Sequence, residues 1–158
     1  MTGNPQSIIS IALDAMGCDH GPSVTVPAAI QAIEEGGVAV ALVGNEQAIN
    51  AELDRYESKA KQLVQVVPAQ GVVEEGESPA RAFRSKPNAS IFVSAGTVKA
   101  GKTAGFVSMG STGASIAAAT VVYGTLDGID RGALSGPVVR YAPNSVIIDR
   151  GTNVDTRP

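Results

Sequence analysis

Six short apolar runs punctuate the chain, at residues 8–13, 38–43, 63–67, 105–108, 137–140 and 146–149. Most are continuous rather than alternating, the pattern of strands buried on both faces. Segments with helical spacing separate them. Val26, Ala29, Ile30 and Ile33 share one helical face, and so do Ile49, Leu53 and Tyr56 behind a capping Asn45. Ser78-Pro79 reads as a cap with proline in the first turn. Asn88 is expected to cap a helix reaching Ala100, with Ile91, Ala95 and Val98 inward and Gly101 ending it. Thr112 to Tyr123 follows the same logic, with Gly124 as terminator. Strand and helix alternation predicts βαβ units in one α/β domain over residues 1–158. Its sheet is expected to be mostly parallel, the middle of three layers, with helices on both faces.

In open sheets of this kind ligands gather where strands end. Three glycine-rich loops follow predicted strands, at residues 14–22, 108–113 and 149–155. The first holds Asp14, Gly17, Cys18, Asp19, His20 and Gly21, and His20 is the only histidine in the chain. Its glycines permit close backbone approach to a ligand. His20 reads either as an acid/base or phosphate-binding group, or, with Asp19, as part of a hydrogen-bonded turn. Nearness in sequence does not make Asp14, Asp19 and His20 a metal site, and none is predicted. The second loop, Ser108-Met109-Gly110-Ser111-Thr112-Gly113, opens a helix. Free N–H groups and the helix dipole favour an anion there. The plainer reading is a Ser/Thr cap. The third loop carries Asp149, Gly151, Asn153 and Asp155, and its plainer reading is an Asn/Asp/Gly turn.

A charge run surrounds the helix start at Ser78-Pro79. Glu74, Glu75 and Glu77 precede Ser78, and Arg81, Arg84 and Lys86 follow it. It is either a solvated helix with charges matched to its dipole or a contact for an anion or acidic partner. Composition narrows the rest. Net charge is −3 and aromatics are 4%, so neither a basic nucleic-acid footprint nor a base-stacking platform is predicted. A lone Cys18 excludes an internal disulfide and multi-cysteine zinc sites. No apolar run is long enough to span a bilayer, and residues 1–7 lack the regions of a signal peptide. A cytoplasmic location is the expectation.

Five stretches, in order, resemble one family. The run from Ile11 through Asp14, Gly17, Asp19, His20 and Gly21 to Pro22 resembles the opening signature of PlsX-type bacterial phosphate acyltransferases. Leu42-Val43-Gly44-Asn45-Glu46 resembles their second strand and turn, and Glu77-Ser78-Pro79-Ala80-Arg81-Ala82 with Arg84 and Lys86 their Ser-Pro helix. Ser108 to Ala114 and Asp149 to Asp155 resemble two further loops. The chain departs from the pattern at Cys18, Met109, Arg150 and Thr152, where small residues are usual, at Ser111, where asparagine is, and at Glu77, where aspartate is.

The resemblance implies a fold like that of isocitrate and isopropylmalate dehydrogenases, of which this chain is the N-terminal half and therefore incomplete. It implies transfer of an acyl group from acyl carrier protein to inorganic phosphate, giving acyl phosphate for phospholipid synthesis. It further implies a homodimer, peripheral at the inner membrane face beside a glycerol-3-phosphate acyltransferase, with no cofactor. Phosphate is then the nucleophile, and a thioester on Cys18 is not expected. His20, Asn153 and Asp14 are the candidate catalytic groups. Gly17, Asp19, Gly21, Ser108, Gly110, Ser111, Thr112, Gly113, Asp149, Gly151 and Asp155 are candidates for holding phosphate and thioester. Ser78, Arg81, Arg84 and Lys86 are candidates for substrate phosphate or the carrier. The rival readings are a non-catalytic binding or assembly module of the same descent and a phosphotransacetylase-like enzyme using acyl-coenzyme A. A nucleotide-binding oxidoreductase is disfavoured because no Gly-x-Gly-x-x-Gly follows a strand.

Overall fold

A computed structural model describes residues 8–74, 76–138 and 142–149. The chain divides into two compact units, residues 1–123 and 124–158. The first contains β1 (Ser10–Asp14), α1 (Pro22–Gly36), β2 (Ala39–Gly44), α2 (Glu46–Leu53), a 3-10 turn (Lys59–Leu63) and β3 (Val64–Pro68). It continues with α3 (Pro79–Ser85), α4 (Ser90–Lys99), β4 (Gly105–Val107) and α5 (Thr112–Tyr123). The strands form one four-stranded sheet in the order β3-β2-β1-β4, with every pairing parallel.

Continuous apolar strands place neighbouring residues on opposite faces, and both faces are covered. Val40 and Leu42 of β2 pack with Val26, Ala29, Ile30 and Ile33 of α1 and with Ile49 and Leu53 of α2. Val43, one residue on, packs on the other face with Ala12 of β1 and Val93 of α4. A further cluster joins Ala82 of α3, Phe92 and Ala95 of α4, and Ala114 and Ala118 of α5. Phe83 and Phe92 meet edge to face there, with ring centroids 5.0 Å apart.

The predicted helix ends are found with one exception. Asn45 accepts the Ala48 N–H at 2.9 Å and caps α2. Gly124, at φ 79°, follows the last residue of α5. Asn88 does not cap α4. The helix starts at Ser90, whose N–H donates to the Gly71 carbonyl at 3.2 Å, while the Asn88 carbonyl accepts from Gln70 N–H at 2.8 Å. The exit from β3 thus supplies a main-chain partner to the first N–H of the helix.

The second unit departs from the predicted parallel sheet. β5 (Ser135–Val138) and β6 (Ala142–Ile148) pair antiparallel in their own two-stranded sheet, with an irregularity between Pro137 and Val138. A parallel crossover needs a dozen or more residues, and the few residues between these runs allow only a reversal. Among the described residues no helix is long and apolar enough to cross a membrane.

Leu42 is completely buried in the central part of the sheet, whereas Val107 at the sheet's outer strand is 47% exposed. Leu42→Ala is expected to cost about 2–5 kcal/mol, and Val107→Ala only about 0.5 kcal/mol. Urea unfolding of the two variants against the unaltered chain measures the difference.

Candidate active site

β1 and β4 are parallel neighbours, with Leu13 opposite Val107. The next residues are therefore Asp14, the last of β1, and Ser108, just past the end of β4. Their side chains meet: Ser108 Oγ donates to Asp14 Oδ2 at 2.8 Å. Asp14 Oδ1 accepts the N–H groups of Met16 at 3.2 Å and Gly17 at 3.0 Å, closing the first loop on itself. Ser108 Oγ also accepts the Gly110 N–H at 3.2 Å. One carboxylate, 2% exposed, thus joins two loops.

The glycines at the junction have a steric reason. A Cβ on Gly17 would lie 2.3 Å from Asp14 Oδ2 and 2.9 Å from Ser108 Oγ. A Cβ on Gly110 would lie 2.6 Å from the Gly17 carbonyl oxygen. The two backbones are in direct contact, and only glycine leaves room for it.

Beyond the junction each loop enters a helix. Gly21, at φ 53°, precedes α1 and accepts N–H groups from Val24 and Thr25 with its carbonyl. Ser111 precedes α5: its carbonyl accepts Ser115 N–H at 3.1 Å, and its Oγ accepts Ala114 N–H at 3.5 Å. Thr112 and Gly113, in the first turn of this twelve-residue helix, are exposed. The α5 start thus presents hydroxyls and main-chain donors beside the junction.

Asp19 and His20 are exposed, and among the described residues no hydrogen bond or ion pair reaches the His20 ring. The His20 carbonyl accepts from Ser23 Oγ at 2.8 Å. Cys18 Sγ donates to the Gly21 carbonyl at 3.6 Å. Among the described residues no three His, Cys, Asp or Glu side chains converge as metal ligands. Asp14 instead is turned inward, away from its exposed neighbours.

The basic run divides. Arg81 and Arg84 on α3 are exposed and form no ion pair among the described residues. Lys86 is engaged within the chain: Nζ donates to Glu77 Oε2 at 2.9 Å and to the Val72 carbonyl at 3.1 Å. The hydrogen bond from Lys86, then that from the Glu74 N–H, hold the Glu77 carboxyl below its ordinary range. The latch therefore persists at neutral pH and is lost as pH falls through the lowered value. Ser78 occupies the cap position of α3 without a side-chain cap bond.

Two supporting residues escaped the sequence reading. Thr25 Oγ1 donates back to the carbonyls of Ala15 at 3.1 Å and Gly21 at 3.2 Å, tying α1 to the first loop. A threonine four residues past Gly21 in the first helical turn is the available signal. Met16 lies over Gly44 at the end of β2, where a Cβ would meet its Cγ at 2.6 Å. In the third loop Asp149 belongs to the second unit, with φ 57°. Gly151, Asn153 and Asp155 lie outside the described residues.

Comparison with known proteins covers nearly the whole chain. A family model described as "Fatty acid synthesis protein" matches residues 9–158. A phosphate acyltransferase of Picosynechococcus sp. is 43% identical over 150 residues, covering 94% of this chain and 41% of the relative. Phosphate acyltransferases of Pelotomaculum thermopropionicum and Desulforamulus reducens are each 42% identical, over 95% and 96% of this chain and 43% and 45% of theirs. The chain thus spans less than half the length of the curated relatives it matches. With nearly all of its residues inside the matched region, this chain belongs to the fatty acid synthesis protein family.

Proposed function

We propose that the chain serves the transfer of a fatty acyl group from acyl carrier protein to inorganic phosphate, and that its first two loops hold the phosphate. The observation carrying the reading is the Asp14–Ser108 bond, which anchors the α5 start beside the first loop at the carboxyl ends of β1 and β4. Exposed Thr112 and Gly113 leave main-chain donors of that turn open to an anion, with the helix dipole in the favourable sense. The names of the similar proteins support the same chemistry.

Phosphate attacks the thioester carbonyl carbon. The carbon–sulfur bond breaks, the thiolate leaves with the carrier, and a proton returns to the sulfur. No protein nucleophile is needed. The protein's task is to hold two reactants together and to stabilise the oxyanion. His20 is exposed and its ring takes part in no hydrogen bond among the described residues, so it is available to orient phosphate or carry a proton. Asp14 is placed differently: all three of its hydrogen-bonding neighbours are protein donors. Asn153 is proposed as the carbonyl-oxygen donor, with Asp149, Gly151 and Asp155 in the same loop. Met109, 72% exposed between the two ends of the second loop, offers apolar surface to an acyl chain. Arg81 and Arg84 are proposed to attract the acidic carrier. The finer architecture, that of isocitrate and isopropylmalate dehydrogenases, and a homodimer at the inner membrane face complete the proposal.

Incubating the chain with acyl-carrier-protein thioester and phosphate, and assaying acyl phosphate, tests the reaction. A parallel run with acyl-coenzyme A tests the rival donor, and phosphate binding without turnover would favour a binding module. Gly113→Asp separates stability from function. The position is exposed, and a Cβ there meets Ser111 Oγ at an ordinary 3.7 Å. A carboxylate in the first turn should stabilise the helix by about 0.3–1 kcal/mol. The same charge should abolish phosphate binding, so calorimetric titration and thermal unfolding should move in opposite senses. Asn153→Ala should lower the rate about 10²–10³-fold with little change in phosphate binding. Reversing Arg81 and Arg84 to glutamate should slow carrier association, an effect that shrinks as added salt screens it.

A further inference from the structure

We infer that Asp14 and Ser108 are positioning residues, a half-buried link that sets the spacing of the two loops at which phosphate is held. The inference rests on the phosphate-site reading above. It assigns Asp14 a role other than proton transfer.

A carboxylate has about four acceptor positions. Asp14 fills three of them, with the N–H groups of Met16 and Gly17 and the hydroxyl of Ser108. It is 2% exposed, and the α-carbon of Gly17 covers Oδ2 so closely that a methyl group there would be 2.3 Å away. Such a group touches no substrate. Ser108 is committed in the same way: its hydroxyl donates a hydrogen bond to Asp14 and accepts one from the Gly110 N–H. The Gly110 amide is thereby spent on the link, and free donors for an anion begin only at Ser111. Gly110 then meets the Gly17 carbonyl, where a Cβ would be 2.6 Å from the oxygen. Any shift of one loop must carry the other, because carboxylate, hydroxyl and two glycine backbones fill the junction.

Ser108→Ala removes the bridging hydroxyl and leaves Asp14 Oδ2 buried without its donor, while Ser108→Thr keeps the hydroxyl. Two readouts on the whole chain are taken: the dissociation constant for inorganic phosphate, and amide hydrogen exchange at Met16 and Gly17. Ser108→Ala is expected to remain folded by circular dichroism, to bind phosphate about tenfold more weakly, and to speed exchange at Met16 and Gly17. Those amides lie on the loop that was not altered and bond Asp14 Oδ1 rather than Ser108, so faster exchange there reports the link passing through Asp14. Ser108→Thr should restore both readouts. Asp14→Asn, which keeps the side chain's size, should reproduce the loss if Ser108→Ala does not fold.

Unchanged phosphate affinity in folded Ser108→Ala, or unchanged exchange at Met16 and Gly17, overturns the inference while leaving the phosphate site standing. Failure of Ser108→Thr to restore either readout overturns it as well. Collapse of the fold in both Ser108→Ala and Asp14→Asn would assign the link to stability alone. An unaltered chain that binds no phosphate removes the phosphate reading and this inference together.

Discussion

Parallel pairing of β1 with β4 is the constraint on which the candidate site depends. It brings Asp14 within 2.8 Å of Ser108, a residue 94 positions away in the chain. Two helices, α1 and α5, take their starting points from the loops joined there. Leu13 opposite Val107 fixes the register, and a slip by one residue would face Asp14 with a different side chain. The apolar packing of β1 between two helical layers is therefore also what aligns the polar contact at its end.

Burying that contact is tolerable only because it is well paired. An isolated carboxylate removed from water is costly, and a buried acceptor without donors forfeits about 1–3 kcal/mol. Asp14 recovers this through two main-chain N–H groups of its own loop and one hydroxyl. The arrangement is local on one oxygen and long-range on the other. Oδ1 shapes the first loop, whereas Oδ2 reaches the second. Closure of the first loop and docking of the second are thus coupled through one side chain, as expected of a satisfied buried network.

The layered part of the fold was legible in the sequence for a simple reason. Leu42 and Val43 are both apolar and both buried, each against a different helical layer, so a continuous run was the right signature. The α1 face was equally plain from Val26, Ala29, Ile30 and Ile33. What escaped depends on geometry that single residues do not carry. Asn88 had the chemistry of a cap, but the Gly71 carbonyl supplied the partner from another segment. The two last apolar runs look like the first four, yet their short connection forces an antiparallel pair. In the site, the glycines and acids of the first loop were legible as candidates. The use of Gly17 and Gly110 as the surfaces of a loop-to-loop contact was not, because it exists only once β1 and β4 are adjacent.

The basic run shows how the same residue type takes different work from its surroundings. Arg81, Arg84 and Lys86 sit within one short stretch, and sequence spacing treats them alike. Lys86 lies past the end of α3, where its ammonium reaches both the Glu77 carboxylate and the Val72 carbonyl. It fastens the segment that precedes α3 and has little left to offer a ligand. Arg81 and Arg84 lie on the helix itself, held in place because Ala82 between them is buried against α4 and α5. That burial turns one face of α3 inward and leaves the guanidinium groups in water, where a cation acts through its field over roughly a Debye length. Asp14, at the opposite extreme, is enclosed and engaged by three donors of its own chain at hydrogen-bonding distance. Charge on the outside of this unit is therefore left in solvent, while the carboxylate on the inside fixes how the first two loops meet.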